Sequence, residues 1–272
     1  MRWHVKAGEM GLINDQLKIF GERNTATNAL KVLIETNSKT RVSPSVAKEL
    51  DTSFRWKMRL LGRLPKMFRA RATEAYIDSV FRGRSPKFAW KHTATRFQDI
   101  SCLEGSACAL TIRNPISWLF GLHRRPYNAL ATTPAEFSSF LNWPWELCRR
   151  DNLEDKKLTP PEIWNQKARY LVDFAEQAER RNIETVAIKF EDFVVDQDAV
   201  FARIKHLLVE PADRPSIVQS STKDRTKDHN YYRDYYTQEK WLSEIEPTCV
   251  QSAGQRVDWG LAGIFGYNRP SL

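Results

Sequence analysis

Along the chain, short continuous apolar runs alternate with segments whose apolar residues recur every three or four positions. The run 17–20 (LKIF) ends in Gly21, passes through a polar turn and enters a helical pattern of Leu30, Leu33 and Ile34 that stops near Asn37. Comparable strand candidates lie at 87–91 (KFAWK), 107–112 (ACALTI) and 185–190 (TVAIKF), each followed by a turn and a helix-like segment. After Pro160, residues Ile163, Ala168, Leu171, Val172 and Ala175 fall at helical spacing. Strand, turn and helix repeated in this order predict an α/β fold, a parallel β-sheet flanked by helices. Two stretches fall outside the alternation, roughly 43–81 and 134–155, the second containing the tryptophan-rich LNWPWEL. Excursions of this kind gather where the carboxyl ends of parallel strands meet, so they read as helical insertions that contact a binding partner. No Gly/Ser- or Pro-rich linker and no fixed-period repeat divides the chain, and a single domain over 1–272 is the simpler reading.

Composition adds the kind of partner. The 272 residues are 42% apolar and 28% charged, enough for a full core, and the formal charge of +9 points to an anionic partner. A nucleotide, a nucleic acid, a sulfated or phosphorylated acceptor and an acidic membrane surface all satisfy that charge. The first ten residues, MRWHVKAGEM, show no apolar leader region, and no stretch approaches the ~20 apolar residues of a membrane span. We therefore expect a protein without a transmembrane segment, located in the cytoplasm. Cys102, Cys108, Cys148 and Cys249 form no Cys-x-x-Cys pair and no zinc spacing, which reads as reduced, mostly structural thiols.

Three segments carry candidate chemistry. The first strand runs into Arg23, Asn24, Thr25, Ala26, Thr27 and Asn28, combining a guanidinium, small hydroxyl residues and a helix start. The first turn of a helix presents unpaired N–H groups and the positive end of its dipole, so an anion can settle there without a metal. The loop lacks the lysine of a Walker A motif. An ordinary capped helix, with Thr25 or Thr27 at the N-cap, is the plain alternative. His92 follows the second strand candidate; on the same rim as the loop its imidazole could take a hydroxyl proton. In the third segment, Arg113 suits bidentate phosphate contact and Ser117 suits donation from the first turn of the next helix, the alternative being a solvated turn before a Pro-started helix. Arg124 and Arg125 fit either an anion site or a helix C-terminus.

With those residues quoted, the chain resembles the sulfotransferases that use 3′-phosphoadenosine 5′-phosphosulfate, in particular the bacterial branch whose first loop reads like GERNTGTN. The likeness rests on GERNTATN (21–28), on AWKH (89–92) and on RNPISWLFGLHRRPY (113–127), in the order the family has them, and extends more weakly to YYTQEKWL (235–242) and FGY (265–267). It implies a P-loop-like α/β fold in which residues 23–28 hold the 5′-phosphosulfate. It further implies that Arg113 with Ser117 holds the 3′-phosphate and that His92 is the base. Arg23 then meets the leaving-group charge, and Lys223, Arg225 and Lys227 close over the nucleotide, although the segment lacks the Arg-Lys-Gly signature of better-known members. Two positions depart from the family: Ala26 stands where a glycine is usual, and Gly121 where a serine usually contributes to the 3′-phosphate site.

The implied reaction is sulfuryl transfer to a hydroxyl or amine of a small-molecule, carbohydrate or peptide acceptor, releasing adenosine 3′,5′-bisphosphate, with no metal and no nucleic acid expected. Two other readings compete. A P-loop nucleotide kinase shares the fold but requires the Walker lysine. A polyanion or RNA binder without turnover is raised by the basic, aromatic stretch FRWKMRLLGR (54–63); a membrane-surface helix would look similar, and the favoured reading of the stretch is an amphipathic helix with a solvated basic face or a lid on the acceptor site.

Overall fold

A computed structural model of the chain describes residues 15–127, 129–219 and 226–270. Strand β1 (Gln16–Gly21) leads to α1 (Thr27–Asn37) and β2 (Arg41–Val42). The first excursion holds α2 (Ala47–Leu50), α3 (Phe54–Leu61) and α4 (Lys66–Phe81). Strand β3 (Ala107–Ile112) and α5 (Pro115–Arg124) follow, then the second excursion with α6 (Phe137–Leu141) and β4 (Trp145–Glu146), which pairs antiparallel with β5 (Lys157–Leu158). The long α7 (Pro160–Arg180) returns the chain to β6 (Thr185–Lys189), after which come α8 (Phe190–Val195), α9 (Gln197–Ile204), α10 (His229–Thr237), α11 (Lys240–Ser243), α12 (Pro247–Arg256) and α13 (Trp259–Ile264). Among the described residues no helix is long and apolar enough to cross a membrane.

The main sheet has the order β2-β1-β3-β6, and every pairing in it is parallel. The inner strands β1 and β3 alternate between two cores. Leu17 and Ile19 of β1 join Leu30, Leu33 and Ile34 of α1 and Phe201 of α9 on one face. Phe20 of β1 and Cys108, Leu110 and Ile112 of β3 pack with α5 and α7 on the other. Burial on both faces is why these strands read as unbroken apolar runs rather than as an alternating pattern. The exception inside β1 is Lys18, fully buried, whose ammonium bonds the carbonyl of Ala89 at 2.6 Å. Burial drives its pKa down to about 7.

The strand expected at 87–91 does not form. Pro86 starts a 3-10 turn over Pro86–Phe88, and Ala89, Trp90 and Lys91 are buried in succession rather than alternately. The segment still lies beside β1: Gly21 N–H donates to the Lys91 carbonyl at 2.9 Å and the Lys91 N–H reaches Ser45 at 3.3 Å. It replaces a strand at the carboxyl end of β1, beyond the two residues where β2 pairs. Phe190 opens α8 rather than closing β6. The two excursions are fastened together, because Arg150 of the second pairs with Asp78 of α4 at 2.7 Å and with Glu74 of α4. All four cysteines are free.

Candidate functional site

The loop between β1 and α1 owes its shape to close packing at its first residue. Gly21 lies opposite Thr111, and a Cβ on Gly21 would fall 1.8 Å from the Thr111 hydroxyl. That hydroxyl instead meets Thr25 Oγ1 at 2.7 Å, and Thr25 Oγ1 also donates to the Glu22 carbonyl at 2.5 Å. Thr25 is thus a buried brace of the loop and caps nothing. The N-cap of α1 is Ala26, with φ 62° and no capping side chain, so neither Thr25 nor Thr27 serves as the cap.

Helix α5 holds the loop from the other side. Trp118 Nε1 donates to the Arg23 carbonyl at 2.9 Å, Arg113 donates to the Asn24 carbonyl at 3.2 Å, and Asn24 Nδ2 reaches the Gly121 carbonyl at 3.5 Å. Carbonyl and N–H point in opposite directions across a trans peptide, so the N–H groups of Asn24 and Thr25 face away from α5. The first backbone bond of α1 runs from Leu30 to Ala26 at 2.9 Å. Helix geometry therefore leaves the N–H groups of Thr27, Asn28 and Ala29 without intrahelical acceptors, at the positive end of an 11-residue dipole. Asn24, at φ 63°, is a residue that tolerates the left-handed region, whereas Ala26 is not. We expect Ala26→Gly to keep the fold and raise unfolding free energy by roughly 0.5–1 kcal/mol, relief of the left-handed strain exceeding the loss of one partly buried methyl. Urea denaturation checks it, and a less stable variant would show that the methyl's packing outweighs the strain.

His92 reaches this loop although it follows no strand. Its Nδ1 lies 2.6 Å from the Gly21 carbonyl, and a carbonyl only accepts, so Nδ1 carries the hydrogen and Nε2 the lone pair. The indole of Trp90 meets the imidazole edge-on at 5.1 Å. Burial, then the charges of Lys91 and Arg23, hold the imidazole well below its ordinary pKa, so it is neutral at pH 7. Lys91 itself bonds Asn28 Oδ1. Arg23 stacks between the rings of Trp90 at 5.0 Å and Tyr127 at 5.7 Å. Of the other histidine near the loop, His123, Nε2 meets the Pro134 carbonyl at 3.1 Å, and the ring packs on Phe137 and Phe140.

Arg113 is 5% exposed. Its Nε donates to Ser117 Oγ at 2.8 Å and one terminal nitrogen to Tyr236 of α10 at 2.8 Å, while the plane lies 4.4 Å from Phe190. Ser117 is fully buried and its hydroxyl faces this guanidinium, so it positions the arginine rather than standing open at the helix start. With the bond to Asn24, three of five N–H groups are used, which by count leaves one on each terminal nitrogen. Gly121 explains how the group fits: a Cβ there would lie 2.9 Å from the Arg113 terminal nitrogen. The glycine makes room for the arginine, and a serine in its place would press on it. Of the basic pair that follows, Arg124 bonds Tyr235 and Glu244, each at 3.1 Å.

Sequence reasoning missed a buried ion network under the loop. Lys167 of α7 donates to Glu22 at 2.6 Å, to the His92 carbonyl at 2.8 Å and to Asp151 at 3.1 Å. Burial favours a protonated Asp151, but the Lys167 ammonium and then Arg23 outweigh it and keep its pKa below the usual carboxylate range. Position 167 lies four residues after Ile163, inside the apolar stripe of α7, and a lysine there was the available signal of a buried pair. A cavity of about 20 Å³, room for one water, is walled by Glu22, Thr25, Thr93, Thr111, Arg113 and Lys167. A larger open recess of about 400 Å³ lies on α7 near Arg180 and Arg181, next to the start of β6 and so toward the amino ends of the strands, opposite the end that carries the loop. Its arginines already pair with Glu176, Asp99 and Glu104. Lys223 and Arg225 lie outside the described residues, and Lys227 stacks on Tyr231.

No protein-family model matches this chain, and no curated protein matches it.

Proposed function

We propose that this chain binds 3′-phosphoadenosine 5′-phosphosulfate at the β1–α1 loop, in a P-loop-like arrangement, and transfers the sulfuryl group to a hydroxyl or amine of a small-molecule, carbohydrate or peptide acceptor. The observation that carries this reading is the bond between His92 Nδ1 and the Gly21 carbonyl, 2.6 Å long. It fixes a neutral imidazole at the mouth of an anion-receptive loop, with Nε2 as the proton acceptor.

In the proposed step the acceptor's oxygen or nitrogen bonds to sulfur while its proton passes to His92 Nε2. The bond from sulfur to the 5′-phosphate oxygen breaks, and its electron pair leaves with adenosine 3′,5′-bisphosphate. Arg23 and the N–H groups of Thr27, Asn28 and Ala29 meet the charge that develops on that oxygen. Arg113, aligned by Ser117, takes the 3′-phosphate with its two remaining N–H groups. The excursions, joined at Arg150 beside Trp90, supply the acceptor's side.

One observation favours a second reading, a nucleotide binder of the same fold without turnover: the Arg113 guanidinium is already bonded to Ser117, Asn24 and Tyr236. Thermal unfolding with added nucleotides tests the donor site. Adenosine 3′,5′-bisphosphate at saturation is expected to raise the melting temperature by several degrees, and AMP or ATP with Mg²⁺ by little. Equal shifts with AMP would sink the 3′-phosphate site, and a shift from ATP with Mg²⁺ alone would favour the kinase reading.

A further inference from the structure

The hairpin of α3 and α4 carries a surface that the nucleotide site does not use. Between Thr52 and Thr73 there are seven cations and no carboxylate. Lys57 pairs with Asp51 at 2.9 Å, Arg71 with Glu146 at 3.5 Å, and Arg69 donates to the Leu64 carbonyl at 3.0 Å. Arg55, Arg59, Arg63 and Lys66 are exposed and form no ion pair among the described residues. Among them stand four apolar side chains in water: Trp56 at 62% exposure, Leu60 at 40%, Met67 at 75% and Phe68 at 57%. Trp56 and Leu60 share one face of α3, and Met67 and Phe68 open α4 just beyond the turn at 62–65. Helix α3 contributes no buried residue to the core.

The hairpin is nevertheless anchored on its other side. Phe54 stacks on Tyr76 at 6.0 Å, Tyr76 and Lys57 both bond Asp51, and Asp78 of α4 grips Arg150. A held scaffold thus presents apolar groups ringed by cations.

We propose that this hairpin docks the protein on an anionic membrane surface. Trp56, Leu60, Met67 and Phe68 enter the boundary between headgroups and acyl chains, and Arg55, Arg59, Arg63 and Lys66 lie among the lipid phosphates. Charge complementarity selects this occupant. A second copy of the chain would bring two such cationic hairpins together across an isologous contact, which like charges oppose. A nucleic acid could engage the arginines and the rings of Trp56 and Phe68 but would leave Leu60 and Met67, 40% and 75% exposed, without an apolar partner, whereas the acyl boundary takes all four apolar groups. The proposal stands independently of sulfuryl transfer.

Co-sedimentation with vesicles provides the test. The full chain at 0.1 M salt is expected to partition onto vesicles of equal phosphatidylglycerol and phosphatidylcholine at least ~10-fold more strongly than onto phosphatidylcholine alone. Arg55→Gln/Arg59→Gln/Arg63→Gln should lower that partition roughly 100-fold, about fivefold for each charge. Trp56→Ser/Phe68→Ser should lower it at least ~10-fold and remove the binding that survives high salt. Both variants alter exposed positions, and circular dichroism should report an unchanged fold. Equal partition onto the two vesicle types, or wild-type partition by either variant, overturns the proposal. So does a chain that ignores vesicles but retards single-stranded RNA through the same arginines, or one whose dimer the apolar variant splits without any vesicle binding.

Discussion

His92→Ala should lower turnover by roughly 10²–10⁴-fold while affinity for adenosine 3′,5′-bisphosphate stays within about twofold. The reason is that in the proposed step the imidazole would act only as the acceptor's proton departs, while the loop amides, Arg23 and Arg113 would hold the nucleotide. Release of adenosine bisphosphate, followed with whichever member of a phenol, sugar and amine panel turns over, gives the rate, and calorimetry gives the affinity. The wild-type pH profile adds a signature that a structural histidine would not produce. Burial and the neighbouring cations depress the His92 pKa, so the base is lost only as pH falls well below 6.5, and the acid limb of turnover should lie there. If the variant loses nucleotide affinity and keeps normal turnover at saturation, His92 is a binding residue. The base must then be sought in the two excursions or at Glu22, one carboxylate oxygen of which is taken by Lys167, since His123 is bonded to Pro134 among aromatic rings.

Arg113→Ala should act on binding and on stability together. A charged contact to the 3′-phosphate contributes on the order of 1.5–3 kcal/mol, so the dissociation constant for adenosine 3′,5′-bisphosphate should rise roughly 10–100-fold, with turnover at saturating donor much less affected. The same truncation strips partners from Ser117, the Asn24 carbonyl and Tyr236, all at a buried position, and should cost about 2–4 kcal/mol of unfolding free energy. Arg113→Lys keeps the charge and loses the planar fork, so it should recover only part of either effect. Calorimetry and urea denaturation on both variants separate the roles. A stability loss with unchanged affinity would make Arg113 a fastener between the loop and α10, and would favour the reading without turnover.

The strands at 16–21 and 107–112 were legible because burial on two faces writes a continuous apolar run, the edge strand at 185–189 because Val186 and Ile188 are buried alternately, and the helices α1 and α7 because burial on one face writes a helical period. The segment 87–91 misled for the same reason. Three buried residues in a row look like a buried strand, yet their burial comes from β1 on one side and the excursions on the other, with no ladder to either. His92 lies beside the β1–α1 loop, as a residue on that rim should, although it follows a turn and not a strand. Ala26 stands where the resemblance expects a glycine, and its φ of 62° is the left-handed backbone that a glycine adopts without strain.

The local order of strand, loop and helix, the anion-receptive start of α1 and the cationic character of the chain were determined by the sequence itself, because each depends on neighbours within about ten positions. Only the tertiary structure decided what those residues do to one another. Gly121 is small because Arg113 lies against it, Ser117 faces inward to hold that arginine, and Lys167 joins Glu22 to Asp151 from 145 and 16 residues away. Such partners meet only when parallel strands and α7 close around the loop. Hydrogen bonds and charges act over a few ångströms of space, and a linear pattern does not record which distant residues will come within that reach.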